Sequence, residues 1–203
     1  MQRLGILLSG RGSNFIAIAD AIREHRLLGA EIAVVLSNLP DAAGLKSARE
    51  MGLPAFDLPS AGRPRAEHEA ESIARLHQHR VDLVCLAGYM RIISPEFVRA
   101  FPNRILNIHP SLLPAFPGLD AQAQALEFGV KVAGCTVHFV DEAVDHGAII
   151  LQRAVPVLDE DTAESLSARI LEQEHIAYPA AIARVLSGEF RLSGRRYVHC
   201  GTE

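Results

Sequence analysis

Asn107 and His109 lie at the end of a predicted strand, and their types and spacing could carry chemistry. Side chains two positions apart on a strand project to the same face, and Pro110 ends strand pairing directly after them. In open α/β sheets, ligands bind beyond the carboxyl ends of the strands. An amide N–H and a protonated imidazole there could stabilise the oxyanion formed when a nucleophile adds to a carbonyl. The spacing alone fits a hydrogen-bonded structural histidine as well.

Asp145 is a candidate partner for His109, in a polar turn between two predicted strands and followed by His146 and Gly147. A carboxylate close to His109 would keep its imidazole charged, or would orient it through a hydrogen bond or a bridging water. Many turn aspartates instead bond their own backbone. The sequence leaves both roles open.

The segment Gly10-Arg11-Gly12-Ser13-Asn14 follows an apolar strand and opens a predicted helix. Free N–H groups and the helix dipole favour an anion at such a point, and a phosphate would fit. Phe15 stands where a dinucleotide fingerprint needs Gly or Ala, and the ending of a P-loop is missing. The alternative is a tight strand-to-helix turn in which Ser13 is the N-cap.

Strand and helix patterns alternate along the chain, which predicts an α/β fold with a Rossmann-like, mostly parallel sheet and helices on both faces. Two long strand-like runs after position 130 predict a hairpin-like pair. A long late helix follows, and Pro179 predicts a break or kink near Tyr178. We predict strands at 4–9, 31–37, 83–87, 105–108, 131–140 and 148–157, and helices at 15–25, 94–101, 121–128 and 162–186.

Length and composition narrow the class of protein. The 203 residues favour one domain at about 150 residues per domain. A net charge of −4 without a basic block argues against a general nucleic-acid binder. Three cysteines without CxxC spacing fit a reducing cytoplasm and argue against a thiolate zinc site. The absence of a long apolar run or signal-peptide pattern predicts a soluble, cytoplasmic protein without membrane contact.

Four motifs stand out along the chain: Gly10 to Asn14, Ala87-Gly88-Tyr89-Met90-Arg91-Ile92-Ile93-Ser94, Leu106-Asn107-Ile108-His109-Pro110-Ser111-Leu112-Leu113-Pro114 and Gln173-Glu174-His175. Together they resemble the phosphoribosylglycinamide formyltransferases of the formyltransferase family, and the resemblance covers about residues 3 to 190. The third motif is specific for folate-dependent formyl transfer. Phe116-Pro117-Gly118-Leu119 is more similar to the glycinamide branch than to the tRNA-formylating branch.

The resemblance implies one formyltransferase domain over 1–203, with a phosphate and nucleotide half at about 1–100 and a folate and catalytic half at about 101–190. It implies that Gly12, Ser13 and Asn14 hold the ribonucleotide phosphate, and that Glu174 contacts the glycinamide amine or ribose. The implied folate pocket comprises Arg65, Met90, Arg91, Ile92, Ile93, Asn107, Asp141, Glu142, Ala143, Val144 and Asp145. Alternatives are a core connector for Met90 to Ile93 and a solvated charge for Arg65.

The implied reaction, part of purine biosynthesis, transfers the formyl group of 10-formyltetrahydrofolate to the amine of glycinamide ribonucleotide. The amine attacks the formyl carbon, Asn107 and protonated His109 hold the oxyanion, and Asp145 supports the imidazole. The folate is a co-substrate, and no metal or covalent intermediate is required. The alternatives are 10-formyltetrahydrofolate hydrolysis and a catalytically silent nucleotide- or folate-binding module. A homodimer is one option for assembly.

The chain departs from the family pattern at three positions. Asp120 and Gln122 stand in a segment that commonly carries histidines, and Ala148 stands where a proline usually follows Gly147. We expect Asp120 to cap the helix at 121–128 rather than to add charge near His109. Arg195 and Arg196 fit a solvated pair.

Overall fold

The structure is a computed structural model that describes residues 1–201. The chain folds as two compact units, Met1–Leu106 and Asn107–Glu203. The fold is α/β, a mixed and mostly parallel sheet with helices on both sides, as predicted. Strand β5 (Ile105–His109) begins in the first unit and ends in the second.

The first unit alternates strands and helices in the predicted manner. Its strand order is β3-β2-β1-β4-β5, and β2 and β4 flank β1 in parallel. Residues 4–8 of β1 are all buried, which explains their unbroken apolar run. The elements are β1 (Gln2–Leu8), α1 (Ser13–Arg23), β2 (Ala30–Ser37), α2 (Ala43–Glu50), β3 (Ala55–Asp57), α3 (Arg65–Gln78), β4 (Leu83–Leu86) and α4 (Pro95–Ala100).

Helix α4 begins as its sequence predicts. Ser94 is the N-cap and its hydroxyl accepts a hydrogen bond from the N–H of Phe97 at 3.2 Å. Pro95 occupies the first helical position, where a missing N–H costs nothing. This helix follows the segment Met90 to Ile93 and fixes where that segment ends.

The second unit has the strand order β5-β6-β7-β9-β8. Strands β6 and β7 are antiparallel, which confirms the predicted pair, and their register shifts between Val137 and His138. Irregularities of this kind are common beside active sites, where they re-aim a side chain. The elements are α5 (Ala121–Phe128), β6 (Val132–Phe139), β7 (Ile149–Pro156), α6 (Ala163–Leu186), β8 (Phe190–Ser193) and β9 (Arg196–His199).

Of the break or kink predicted near Tyr178, the break is wrong, because helix α6 continues through Pro179. The kink stays a prediction. Proline removes one backbone hydrogen bond, but Tyr178 and Pro179 are buried, and packing of this face stabilises the helix against that loss. Thr162 and Ser165 form a reciprocal capping box at the start of α6.

The N-terminal caps of α1 and α5 differ from the predictions. Gly12 rather than Ser13 is the N-cap, since α1 begins at Ser13, and the φ of 74° at Gly12 is a left-handed conformation that favours glycine. Asp120 does stand at the N-cap of α5, but its backbone is left-handed, with a φ of 54°, and its side chain makes no capping hydrogen bond. Gln122 bonds Ser167 on α6 at 3.4 Å.

Two findings complete the fold. The segment after Ser193, for which the sequence predicts no element, completes an antiparallel β8–β9 pair that is joined to β7. No helix within residues 1–201 is long and apolar enough to cross a membrane.

Candidate active site

His109 lies at the end of β5 with only 5% of its surface exposed. Its Nδ1 is 3.3 Å from Oδ2 of Asp145, and its Nε2 is 2.9 Å from the carbonyl oxygen of Phe116. Both ring nitrogens therefore face oxygen acceptors. An imidazole that donates to both oxygens carries a proton on each ring nitrogen.

Asp145 meets His109 across 36 residues of chain, and its side chain is about nine-tenths buried. Besides approaching His109, its Oδ2 accepts a hydrogen bond from the N–H of Gly118 at 2.8 Å. The backbone of Asp145 has a φ of 51°, a left-handed conformation that is uncommon outside glycine but that aspartate and asparagine adopt more often than other residues. The surrounding contacts hold this carboxylate in position for the imidazole.

Asn107 faces a second histidine, His138 of β6. Its Nδ2 is 3.3 Å from Nε2 of His138, whose Nδ1 is 2.8 Å from the carbonyl oxygen of Phe139. Burial lowers the pKa of His138, which keeps the ring neutral. A neutral ring that donates from Nδ1 must accept at Nε2, so His138 fixes which edge of the Asn107 amide faces it.

His138 is a functional candidate that the sequence analysis missed. Its Nε2 is also 3.7 Å from Oδ1 of Asp145, so one carboxylate approaches two imidazoles. A signal was present: Thr136 and His138 are polar side chains two positions apart within an otherwise apolar strand. Asn107 and His109 have the same spacing on β5.

The segment from Asp141 to Gly147, here called the Asp145 loop, joins β6 to β7. Asp141 bonds its own backbone, since Oδ1 accepts from the N–H of Ala143 at 3.0 Å, and its Oδ2 is 2.8 Å from Nδ1 of His146. A Cβ on Gly147 would lie 1.8 Å from the carbonyl oxygen of Phe139. Only glycine fits that approach. Glu142, Ala143 and Val144 are exposed.

The first unit carries the candidate phosphate loop at the N-terminus of α1. A Cβ on Gly12 would lie 2.7 Å from Cα of Gly44, so close packing and a left-handed φ both require glycine there. The first N–H groups of any helix lack acceptors inside it and can bind an anion. Ser13 is half-buried and Asn14 is buried.

Arg65 contacts the Met90 to Ile93 segment, although its guanidinium stays partly exposed. Its Nη2 donates to the carbonyl oxygen of Ile92 at 2.6 Å, and its Nε donates to Glu69 at 3.0 Å. Glu69 is 5% exposed and also accepts from the N–H of Ser94 at 3.1 Å. Arg65 is thus a structural tie as well as a candidate ligand, and Glu69 is a second residue that sequence reasoning missed.

The Met90 to Ile93 segment is divided between surface and core. Met90 and Ile92 are 72% and 66% exposed, Arg91 is half-buried, and Ile93 is 9% exposed. Ser9, at the end of β1, accepts from the N–H of Met90 at 2.8 Å, which joins this segment to the strand before the phosphate loop. Two apolar side chains therefore remain available to a ligand.

Glu174 is 7% exposed on the inner side of α6. It lies close enough to Cys135 of β6 that burial and its charge together raise the pKa of that thiol to about 12. Cys135 and Cys85 are buried, as expected of core and strand residues.

Sequence and structure comparisons place this geometry in a known group. The formyl transferase family matches residues 2–182, most of the chain. The chain belongs to this family. It is 42% identical over 187 residues to the phosphoribosylglycinamide formyltransferase of Bacillus subtilis, which covers 92% of this chain and 95% of that protein. A crystal structure of glycinamide ribonucleotide transformylase 1 from Symbiobacterium toebii has a TM-score of 0.95 and 55% identity, over 98% and 94% of the two chains.

A longer relative contains a similar region. The trifunctional purine biosynthetic protein adenosine-3 of Drosophila melanogaster is 47% identical over 194 residues, which is 95% of this chain. The match spans only 14% of that protein's length.

Proposed function

We propose that the chain transfers the formyl group of 10-formyltetrahydrofolate to the amine of glycinamide ribonucleotide, a step of purine biosynthesis. The observation that carries this proposal is the pair of oxygen acceptors around His109, which favours an imidazolium beside the amide of Asn107. A positive donor and an amide N–H suit the oxyanion of an acyl transfer. Family membership and the similar bacterial formyltransferases support the substrate pair.

In the proposed mechanism, the neutral amine attacks the formyl carbon, and a tetrahedral oxyanion forms. Asn107 donates its second amide N–H to that oxygen, since the first is engaged by His138. His109 donates from Nε2, which must exchange the carbonyl oxygen of Phe116 for the oxyanion. Asp145 holds the charge at Nδ1 throughout. The proton that the amine loses passes to the folate nitrogen as the carbon–nitrogen bond to the folate breaks.

The binding roles are proposed residue by residue. Gly12, Ser13 and Asn14 hold the phosphate of the ribonucleotide, which the N-terminus of α1 would attract, and Glu174 contacts its amine or ribose. The folate contacts are assigned to Arg65, to Met90 through Ile93, to Asn107 and to Asp141 through Asp145. Exposed Met90 and Ile92 supply the apolar surface that a pterin or its linker needs.

Incubation of the protein with 10-formyltetrahydrofolate, with and without glycinamide ribonucleotide, tests the function. Formyl-ribonucleotide that forms only when the acceptor is present supports the proposal. Formate release in both reactions would indicate hydrolysis, and folate binding without turnover would indicate a silent module. Either result contradicts formyl transfer.

His109→Ala and Asn107→Ala test the mechanism in the same assay. Each should lower kcat by about 10²–10³, the usual cost of an oxyanion donor. His77→Ala, at the exposed end of α3, is the matched control and should retain wild-type kcat. Activity of the His109 and Asn107 variants within a few-fold of wild type would remove the proposed roles.

The remaining assignments accompany this proposal as predictions. They are one formyltransferase domain over 1–203, a cytoplasmic location, no nucleic-acid partner, assembly as a homodimer and catalysis that requires no metal.

A further inference from the structure

The β8–β9 hairpin lies beyond residues 2–182, which the family matches, and it contacts the Asp145 loop. Gly194 has a φ of 59° in the turn between the two strands, and Arg195 follows it. Nη2 of Arg195 donates to the carbonyl oxygen of His146 at 2.6 Å, and its Nη1 is 2.6 Å from Nε2 of the same histidine. One guanidinium therefore holds both the backbone and the side chain of His146.

His146 links Arg195 to both ends of the Asp145 loop. It is bonded covalently to Asp145, and its Nδ1 is 2.8 Å from Oδ2 of Asp141. Asp141 begins the loop and Asp145 carries the carboxylate that approaches His109. Because the loop has no regular secondary structure, side-chain contacts of this kind determine how tightly it is held.

The β8–β9 hairpin is itself packed against neighbouring elements, so Arg195 can act as a tether, that is, a side chain that restrains the Asp145 loop. Arg196 pairs with Ile149 at the start of β7, and the ring of Tyr197 packs edge-on against Phe139 at 5.2 Å between ring centroids. Phe139 ends β6, and its carbonyl oxygen accepts from His138. On the other strand, Phe190 stacks on Tyr197 and lies under the guanidinium of Arg184 of α6. Arg195 therefore projects from a base that is joined to three elements.

We infer that Arg195 is a positioning residue that holds the Asp145 loop in the conformation used for folate binding and formyl transfer. The inference rests on the proposed function, because it assigns the loop to the folate and Asp145 to the imidazole. It replaces the sequence-based interpretation of Arg195 as one member of a solvated pair: Arg195 is exposed but engaged. Arg196 alone fits that interpretation, since its side chain makes no hydrogen bond or ion pair within residues 1–201.

Loss of the tether should affect the two substrates differently. A looser loop presents fewer folate contacts and misplaces Asp145, so the KM for 10-formyltetrahydrofolate should rise and kcat should fall. Each change should be about 3–10-fold, the scale of one or two hydrogen bonds. The KM for glycinamide ribonucleotide should change less than about twofold, because its proposed phosphate loop lies at the other end of the sequence.

The test compares Arg195→Ala with Arg196→Ala in steady-state kinetics for both substrates. The two variants lose the same charge from adjacent exposed positions. Any general electrostatic effect, or any damage to the hairpin, should therefore be similar in both variants. Arg195→Ala should show the folate-specific change, Arg196→Ala should match wild type, and Arg195→Lys should recover part of the loss by restoring one donor. Equal kinetics for the two alanine variants, or an equal rise in both KM values for Arg195→Ala, would overturn the inference.

Hydrogen–deuterium exchange separates this inference from the proposed function, because it requires no turnover. Arg195→Ala should speed exchange in peptides covering residues 141–147, while peptides of α6 keep the wild-type rate. If exchange in the loop is unchanged in Arg195→Ala, the inference about Arg195 is overturned even when the enzyme is active. A third outcome is that the wild-type protein lacks formyl transfer while Arg195→Ala still shows faster exchange in the loop. That outcome would contradict the proposed function and the catalytic use of the loop, but not the contact between Arg195 and the loop.

Discussion

Asp145 approaches two histidines whose hydrogen-bond partners differ. His109 has one oxygen near each ring nitrogen, from the Asp145 carboxylate and the Phe116 carbonyl. His138 is buried, donates from Nδ1 and accepts at Nε2, so its contacts require the neutral form. The proposed mechanism therefore uses His109 as a positive donor to the developing oxyanion and His138 as a neutral acceptor that orients the amide of Asn107. Neither histidine could take the other's role without a change of hydrogen-bond partners.

The orienting role of His138 makes a residue-scale prediction. His138→Leu removes the acceptor for the Asn107 amide, so kcat should fall by about 10–10²-fold while both KM values stay near wild type. His138→Gln should recover part of the rate, because its side-chain oxygen can accept the same N–H. The measurement is kcat per mole of folded protein, with Tm recorded for each variant. A fully active His138→Leu enzyme would show that Asn107 needs no partner.

At the scale of elements, the start of α6 is organised by one carboxylate. The two oxygens of Asp161 accept from both terminal nitrogens of Arg169, from the N–H of Leu158 and from the hydroxyl of Ser165. Hydrogen bonds from Arg169 are the main cause that holds the pKa of Asp161 far below its ordinary value of 3.8. The helix that carries Glu174 thus begins at a fixed point.

This network predicts a pH-dependent effect on stability. A carboxylate whose pKa is lowered by folding stabilises the folded state above its ordinary pKa, and that contribution is lost as the pH falls through the folded-state value. Asp161→Asn should therefore lower Tm by a few degrees at pH 7, and the difference from wild type should shrink as the pH falls below 3.8. Thermal unfolding, followed by circular dichroism at pH 7 and at a pH below 3.8, measures this difference in Tm. A difference that is independent of pH would contradict the ionic origin.

Asp159 provides the matched control for that experiment. It is an exposed carboxylate two residues away, and its pKa is also lowered, chiefly by a hydrogen bond from Lys131. Both partners are more than three-quarters exposed, so solvent screens the pair. Asp159→Asn should leave Tm close to wild type at either pH.

At the scale of the whole molecule, charge predicts the absence of a nucleic-acid partner. The chain has 20 Lys and Arg against 24 Asp and Glu, and a protein that binds phosphate backbones needs clustered positive charge. The proposed anion site is instead one helix terminus, which suits a single phosphate.

Fluorescence anisotropy with a labelled DNA duplex and a labelled RNA hairpin checks this prediction. At about 150 mM salt, neither probe should show a change in anisotropy at micromolar protein. A basic DNA-binding protein of similar size serves as the positive control. Saturable binding that weakens steeply as salt rises would contradict the prediction and would require a basic surface that the net charge conceals.

The amino-acid sequence alone determined the features that depend on near neighbours. Apolar runs and helical spacing predicted the order of strands and helices, Ser94 and Pro95 predicted the start of α4, and spacing by two placed Asn107 and His109 on one strand face. Each depends on backbone geometry within a few residues. Local conformation also explains the errors, since a left-handed φ at Gly12 and Asp120 changed the caps without moving the helices by more than two residues.

Only the tertiary structure decided which distant groups meet. The approach of Asp145 to His109, the contact of His138 with Asn107 and the hold of Arg195 on His146 join residues 36, 31 and 49 positions apart. Strand register, the irregularity in the β6–β7 pair and the close approach at Gly147 determine these meetings. Those three features depend on how the whole chain packs. Residue types and spacing within one segment do not determine that packing. Buried packing likewise overrode the local preference of Pro179 to end a helix.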